Sequence, residues 1–127
     1  MIKEIDRKDI PECVSVIKEA FMTVANEFGF TAENAPRFTA FAMSDERLRW
    51  QYENEHRPMY AYYDEKNIII GYYSLALLEN GECELNNLAV LPPYRHQGVG
   101  EKLLCHAYGF IESMTKQFFT VPAPGGR

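Results

Sequence analysis

Apolar positions recur along this chain in blocks whose period switches from helical to extended and back. Cys13, Val16, Ile17, Ala20, Phe21, Val24 and Phe28 fall three and four residues apart, the spacing of one buried helical face. Asp9-x-Pro11-Glu12 ahead of them reads as the helix start, with Asp9 as cap and Glu12 at capping-box spacing, and Gly29 reads as the stop. Pro36 to Asn54 carries Phe38, Phe41, Ala42, Leu48 and Trp50 at an irregular period, and Ser44-Asp45-x-Arg47 looks like an internal restart. Two shorter helices are predicted there. Pro58–Tyr63 alternates as a strand, Asp64–Asn67 is a turn, and Ile68–Leu78 is the next strand. Asn80-Gly81 is a hairpin signal, so Cys83–Leu91 returns antiparallel until Pro92-Pro93 ends it. Val99, Leu103, Ala107, Phe110, Ile111 and Met114 then predict a helix with one buried face. Met1–Ile5 reads as a first strand and Lys116–Val121 as a fifth. The order is that of an α+β domain with a mostly antiparallel sheet flanked by helices.

The chain has 127 residues, which predicts one domain, over Met1 to Val121, followed by a Pro/Gly-rich tail at Pro122–Arg127. Its net charge of −5 lacks the basic stripe of a nucleic-acid binder and, as a whole-protein field, favours cationic, amine-bearing partners over anionic ones. Cys13, Cys83 and Cys105 are an odd number at wide spacing, with no C-x-x-C and no histidine at metal or catalytic spacing. Neither a disulfide framework nor a zinc site is expected, and no acetyl-cysteine chemistry; the setting expected is the reducing cytoplasm. The N-terminus is too charged for a signal peptide, and the longest apolar stretch, Ile68–Leu78, is too short to span a bilayer, so no membrane partner is expected.

Chemistry concentrates in Arg95-His96-Gln97-Gly98-Val99-Gly100, between the strand and the last helix. Two glycines in a loop that feeds a helix N-terminus leave backbone N–H groups uncovered, and the helix dipole adds partial positive charge, a combination that binds phosphate. A P-loop would need Gly-Lys-Ser/Thr, whereas Gly100 is followed by Glu101 and Lys102. A dinucleotide fingerprint would need a third glycine where Leu103 stands. Arg-x-x-Gly-x-Gly after a strand reading Leu-Ala-Val-x-Pro instead resembles the acetyl-CoA-binding motif of the GNAT superfamily of N-acetyltransferases.

The resemblance implies a three-layer, acyl-CoA N-acyltransferase-like fold and an acetyl-CoA-dependent transfer to a primary amine of a small molecule or peptide by direct attack. It makes the backbone of Arg95, His96, Gln97, Gly98, Val99 and Gly100 the pyrophosphate cradle, with Arg95 offering a charged contact to phosphate or standing as a solvated turn residue. It lays the pantetheine arm along Leu88, Ala89 and Val90, with a strand N–H near Val90 facing the developing oxyanion. Glu84 matches the position of a glutamate that is the general base in some members, and its plain alternative is a surface charge at a strand end. By strand alternation Glu84, Asn86, Leu88 and Val90 share a face, with Glu82 on it too. Adjacent Asn86 and Asn87 suit polar work in a cleft or simple solvent exposure. Tyr60, Tyr62, Tyr63, Tyr72 and Tyr73 read as half-buried core with wet hydroxyls, with substrate contact as the alternative, His106 and Tyr108 as outer or flanking positions on the last helix, and Phe38, Phe41 and Trp50 as pocket lining or core.

The likeness covers about Met1 to Val121 and lacks the last helix and strands of the usual fold, where such enzymes often place an acid-bearing tyrosine. Two alternatives follow: a non-catalytic domain that binds CoA or a partner, and a shortened form of a longer enzyme. An unneighboured fifth strand would leave an edge open to a second copy, a route to a homodimer.

Overall fold

The computed structural model describes residues 1–79 and 81–119, with backbone alone from 114 onward. Four antiparallel strands, β1 (Ile2–Glu4), β2 (Met59–Tyr63), β3 (Ile69–Leu77) and β4 (Cys83–Val90), form one sheet in the order β1-β2-β3-β4. Helices α1 (Ile10–Phe28), α2 (Thr39–Ala42) and α3 (Asp45–Trp50) precede β2, and α4 (Val99–Phe119) follows β4. The α+β order and the antiparallel return of β4 are as the sequence predicts. No helix among the described residues is long and apolar enough to cross a membrane.

The sheet is sandwiched. On one face Cys13, Val16, Ile17 and Ala20 of α1 and Leu48 of α3 pack with Met59, Ala61, Tyr63, Tyr72 and Ala89. On the other, Val99, Leu103 and Ala107 of α4 pack with Ile70, Tyr73 and Leu75. β3 is therefore covered on both sides, and Ile69 through Leu75 are all buried, which is why it reads as a continuous apolar run rather than an alternating one. Tyr72 and Tyr73 are wholly buried, deeper than the half-buried positions expected. Gly71 lets α4 approach: a Cβ there would stand 2.8 Å from Leu103 Cδ1 and 3.2 Å from Val99 Cγ1.

Local chemistry sets the element ends. Asp9 stands at the N-cap of α1, as expected, but its side chain is used elsewhere. Asp9 makes no side-chain cap to α1; its Oδ2 accepts from Asp6 N–H and from the Tyr63 hydroxyl, each at 2.9 Å, closing a short 3-10 turn over Arg7–Asp9. Glu12 reaches across the layers and accepts from Ile69 N–H at 2.9 Å, satisfying the first donor of β3. Gly29 ends α1 with φ +71°, as expected. The restart is equally real: Ser44 caps α3 by accepting from Arg47 N–H at 3.1 Å, and a π turn over Gln51–Glu55 carries the chain to β2. Leu78 closes the β3–β4 hairpin, accepting from Gly81 N–H and donating to Glu82 O, while Asn80 lies outside the described residues.

Two expectations fail. Lys116–Phe119 continues α4 instead of starting a fifth strand, and Thr120 and Val121, with the tail at 122–127, lie outside the described residues. The period of the α4 face carries straight on through these residues, and a helix already docked by its buried stripe extends more readily than a strand nucleates beside it. Among the described residues β4 thus forms an edge of the sheet, as β1 does on the other side. The second failure concerns β4 itself. Ser74 pairs with Asn86, but Tyr72 pairs with Ala89, so Asn87 and Leu88 stand opposite Tyr73 alone. Asn87, at φ +53°, is the pivot of this bulge; asparagine is among the few side chains that tolerate that region. The extra residue shifts the alternation by one. Glu84 and Asn86 face the α1 layer, whereas Leu88 and Val90 pack toward α4, so these four do not share a face.

Two outcomes follow from this packing. Gly71→Val should cost about 1–3 kcal/mol by overpacking against Leu103 and Val99. It would be read as a lower urea midpoint at unchanged slope; an unmoved midpoint would mean that α4 does not rest on β3 there. The second concerns His106, whose Nδ1 lies 2.7 Å from the Tyr73 hydroxyl and whose ring lies beside Tyr60. Desolvation lowers its pKa from the ordinary 6.5. The folded state therefore binds this proton less readily than the unfolded chain. The neutral ring's contribution is complete above the unfolded value and is lost as pH falls through it toward the folded value. In His106→Gln, thermal stability should fall less steeply than in the wild type between about pH 7.5 and about pH 5.5; parallel curves would remove His106 as a source of acid sensitivity.

Candidate active site

Two cavities lie end to end along β4, on either side of the Asn87 bulge. The first, of about 270 Å³, is lined by Ala20, Phe21 and Val24 of α1, by Leu88, Ala89 and Val90, and by Arg95 and Gly100. The second, of about 400 Å³, lies between β4 and the α2–α3 segment and includes Glu84, Asn86 and Asn87 in its wall. The sequence-predicted strand residues thus divide between neighbouring cavities.

At the first cavity, Pro92–Tyr94 makes one 3-10 turn and the chain then enters the loop Arg95–Gly98. His96 and Gly98 both take positive φ, +65° and +83°, which turns the loop back on itself before α4 begins at Val99. The first ladder bond of α4 runs from Lys102 N–H to Gly98 O at 3.0 Å. The N–H groups of Val99, Gly100 and Glu101, ahead of it, lie outside the helix's own ladder at the positive end of its dipole. At Gly100 a Cβ would meet Val90 Cγ2 at 3.6 Å, an ordinary contact, so the strand and the loop lie side by side. This donor set fits an anionic diphosphate.

Arg95 is not a solvated turn residue. Its Nη1 donates to Thr23 Oγ1 at 2.9 Å and its Nη2 to Ala20 O at 2.8 Å, so the guanidinium ties the loop to the last turns of α1. Thr23 Oγ1 donates in turn to the same Ala20 carbonyl at 2.8 Å.

The β4 edge supplies a further donor. Leu91 N–H donates to Ile70 O on β3 at 3.0 Å. In an extended strand the backbone groups of successive residues point to opposite edges, so Val90 N–H faces away from β3, toward the open edge, and Leu88 N–H does likewise. The Val90 side chain itself packs toward α4.

At the second cavity, Glu84 is exposed and Asn86 half-buried. Arg37, Arg47, Gln51 and Arg57 line the opposite wall, and sequence reasoning singled out none of these four for chemistry. The signal was there as a recurrence of arginine through a segment read only for its aromatic residues. Of those aromatics, Phe38 forms a ring cluster with Phe21, Phe30 and Phe41, and Trp50, 56% exposed, lies outside the core and lines a separate surface cavity with Ser44, Glu46 and Arg47. Tyr108 is outward as expected, at 62% exposure. Cys13 is buried and its thiol pKa is raised by desolvation, with Asp9 and Glu12 adding to the effect; Cys83, half-buried, is raised by desolvation alone.

The model of a family described as acetyltransferase (GNAT) matches residues 22–119. Among solved structures, the chain resembles the PaiA N-acetyltransferase of Thermoplasma acidophilum in complex with coenzyme A, with a TM-score of 0.73 at 20% identity over 90% of this chain and 72% of that one. It also resembles a GNAT family acetyltransferase of Brucella melitensis in complex with acetyl-CoA, with a TM-score of 0.65 at 18% identity over 90% and 69% of the two chains. The ribosomal-protein-S18-alanine N-acetyltransferase of Escherichia coli gives a TM-score of 0.65 at 19% identity over 90% and 60%. These likenesses establish the fold as acyl-CoA N-acyltransferase-like. The search of curated proteins gave no match.

Replacing Arg95 by Ala should lower stability by about 1–3 kcal/mol, since two charge-assisted hydrogen bonds go and partly buried acceptors on α1 are left to water. Arg95→Lys should recover less than half of that loss, because a single ammonium cannot fork between Thr23 and Ala20. Denaturant midpoints for both variants decide it, and full recovery by lysine would mean that only the charge matters.

Proposed function

This chain belongs to the acetyltransferase (GNAT) family, and on that premise we propose that it is an N-acetyltransferase that moves an acetyl group from acetyl-CoA directly to the primary amine of a small molecule or peptide. The observation that carries the reading is the pair of cavities joined by β4, one framed by free backbone donors and the other by Glu84.

Acetyl-CoA supplies the activated thioester carbonyl. The loop Arg95–Gly100 and the first N–H groups of α4 hold its diphosphate, with Arg95 as a positioning residue that locks the loop to α1. Leu88, Ala89 and Val90 offer their open edge to the pantetheine arm as an added strand would use it. Val90 N–H then stabilises the negative charge that builds on the carbonyl oxygen, an effect worth up to several kcal/mol for one well-placed donor. An alkyl amine of pKa about 10.4 reaches the site protonated. Glu84 removes that proton, directly or through a water, so that the nitrogen lone pair can form the C–N bond; the C–S bond then breaks with its electron pair on sulfur, and the second nitrogen proton passes through water to that sulfur, so that CoA leaves as the thiol. Because Glu84 faces the second cavity and the oxyanion donor faces the edge beside the first, the base and the carbonyl are approached from different sides.

The open β4 edge favours one competing reading, a domain that binds CoA or pairs with a second copy without catalysis. A thermal-shift titration with acetyl-CoA, CoA and ATP, run beside an assay of thiol release, separates the two. At a hundredfold excess over Kd, acetyl-CoA and CoA should each stabilise the protein by about 2.7 kcal/mol, and ATP should not. Glu84→Gln should keep that shift and lose on the order of 10²–10⁴ in turnover. A shift without turnover in the wild type would select the binding reading, and an unaltered rate in the variant would remove Glu84 from the chemistry.

A further inference from the structure

The cavity at the Glu84 end of β4 carries a charge pattern opposite to that of the whole chain. The chain's net charge is −5, yet Arg37, Arg47 and Arg57 all line this cavity, against Glu84. Arg57 is the deepest of the three, its side chain only 17% exposed. One of its terminal nitrogens pairs with Glu55, but its Nε is buried without any hydrogen-bond partner. Gln51 Oε1, in the same wall, is also buried and unpartnered. Arg37 and Arg47 make no ion pair among the described residues.

Buried donors and acceptors are nearly always satisfied, and leaving one unmade costs about 1–3 kcal/mol. Here a buried donor without an acceptor and a buried acceptor without a donor belong to two side chains that line a single cavity. A ligand oxyanion would satisfy Arg57 Nε and draw the free forks of Arg37 and Arg47, whose geometry matches carboxylate and phosphate. A ligand N–H would satisfy Gln51 Oε1. The volume, about 400 Å³, suits a small molecule.

We propose that this cavity takes an acceptor that carries an oxyanion, carboxylate or phosphate, on the same molecule as its amine, held by Arg37, Arg47 and Arg57 with Gln51 on the amine side. The proposal rests on the acetyl-transfer reading for the fate of that amine, but not for its binding. It reverses the preference for cationic acceptors that the overall acidity suggests, because a local cluster in a cavity outweighs a distant surface field screened by salt. A polyamine would meet three like charges along that wall and find nothing for Arg57 Nε.

The experiment compares acceptors in matched pairs that differ by the oxyanion: lysine with cadaverine, tyrosine with tyramine, and O-phosphoethanolamine with ethanolamine. Binding is followed by ligand-observed NMR and thiol release is measured in parallel with acetyl-CoA. The oxyanion-bearing member of at least one pair should bind about tenfold more tightly, and the pair concerned tells carboxylate from phosphate. That preference should shrink severalfold in Arg47→Gln and Arg37→Gln, whose side chains are exposed and outside the core, with Arg57→Gln as the more severe case. Equal or tighter binding of the bare amine in every pair, or a preference untouched by the arginine variants, overturns the assignment. Oxyanion-dependent binding without thiol release would uphold the assignment and sink the acetyl-transfer reading. Thiol release with all amines alike would do the reverse.

Discussion

The architecture of the candidate site depends on one backbone constraint, the left-handed turn at Asn87 within β4. A regular strand would keep Glu84, Asn86, Leu88 and Val90 on one face, and that face would have to choose between the α1 layer and α4. The bulge removes the choice. Before it, β4 shows carboxylate and amide side chains to the α1 side; after it, the strand gives its apolar side chains to α4 and its free N–H groups to the open edge. One strand thereby serves two chemically different cavities with no change of direction.

What positions those cavities is the same double coverage that fixes the sheet. β3 is buried on both faces, and only Gly71 lets α4 come close enough to bring its N-terminus beside Val90. That approach matters because a helix dipole acts within about the first turn. Glu12 and Asp9, spent on Ile69 and Tyr63 instead of on capping α1, tie that helix to the strands it covers. Polar side chains near the start of α1 act here as tertiary fasteners.

Much of this was legible in the amino acids. The strand run, the paired prolines and the two glycines located the loop, because each leaves a local signature that needs no tertiary partner. The helix restart at Ser44 was equally local. Three things were not legible. Alternation carries no mark of where a strand adds a residue, and Asn86-Asn87 was read for its polarity when Asn87 matters for its tolerance of positive φ. Lys116–Phe119 has strand-forming residues, but the docked helix before it decides their state. The arginine cluster comes from residues spread between positions 37 and 57 on three separate segments, and only folding gathers them. Arg95 is the intermediate case: its place in the motif was plain, but its partners, 72 and 75 residues away in sequence, were not.

The Arg95 link to Ala20 and Thr23 has a consequence for how the domain can be divided. The cradle motif looks self-contained, a strand, a loop and a helix contiguous in sequence. Its shape, however, is closed by a carbonyl and a hydroxyl on the first helix. A fragment beginning at β2 would retain every motif residue and still lack the acceptors that orient the loop. The shape of the cradle and the integrity of α1 are therefore one thermodynamic unit: whatever frays the C-terminal turns of the first helix loosens the loop, and whatever fills the loop slows hydrogen exchange in the helix that braces it.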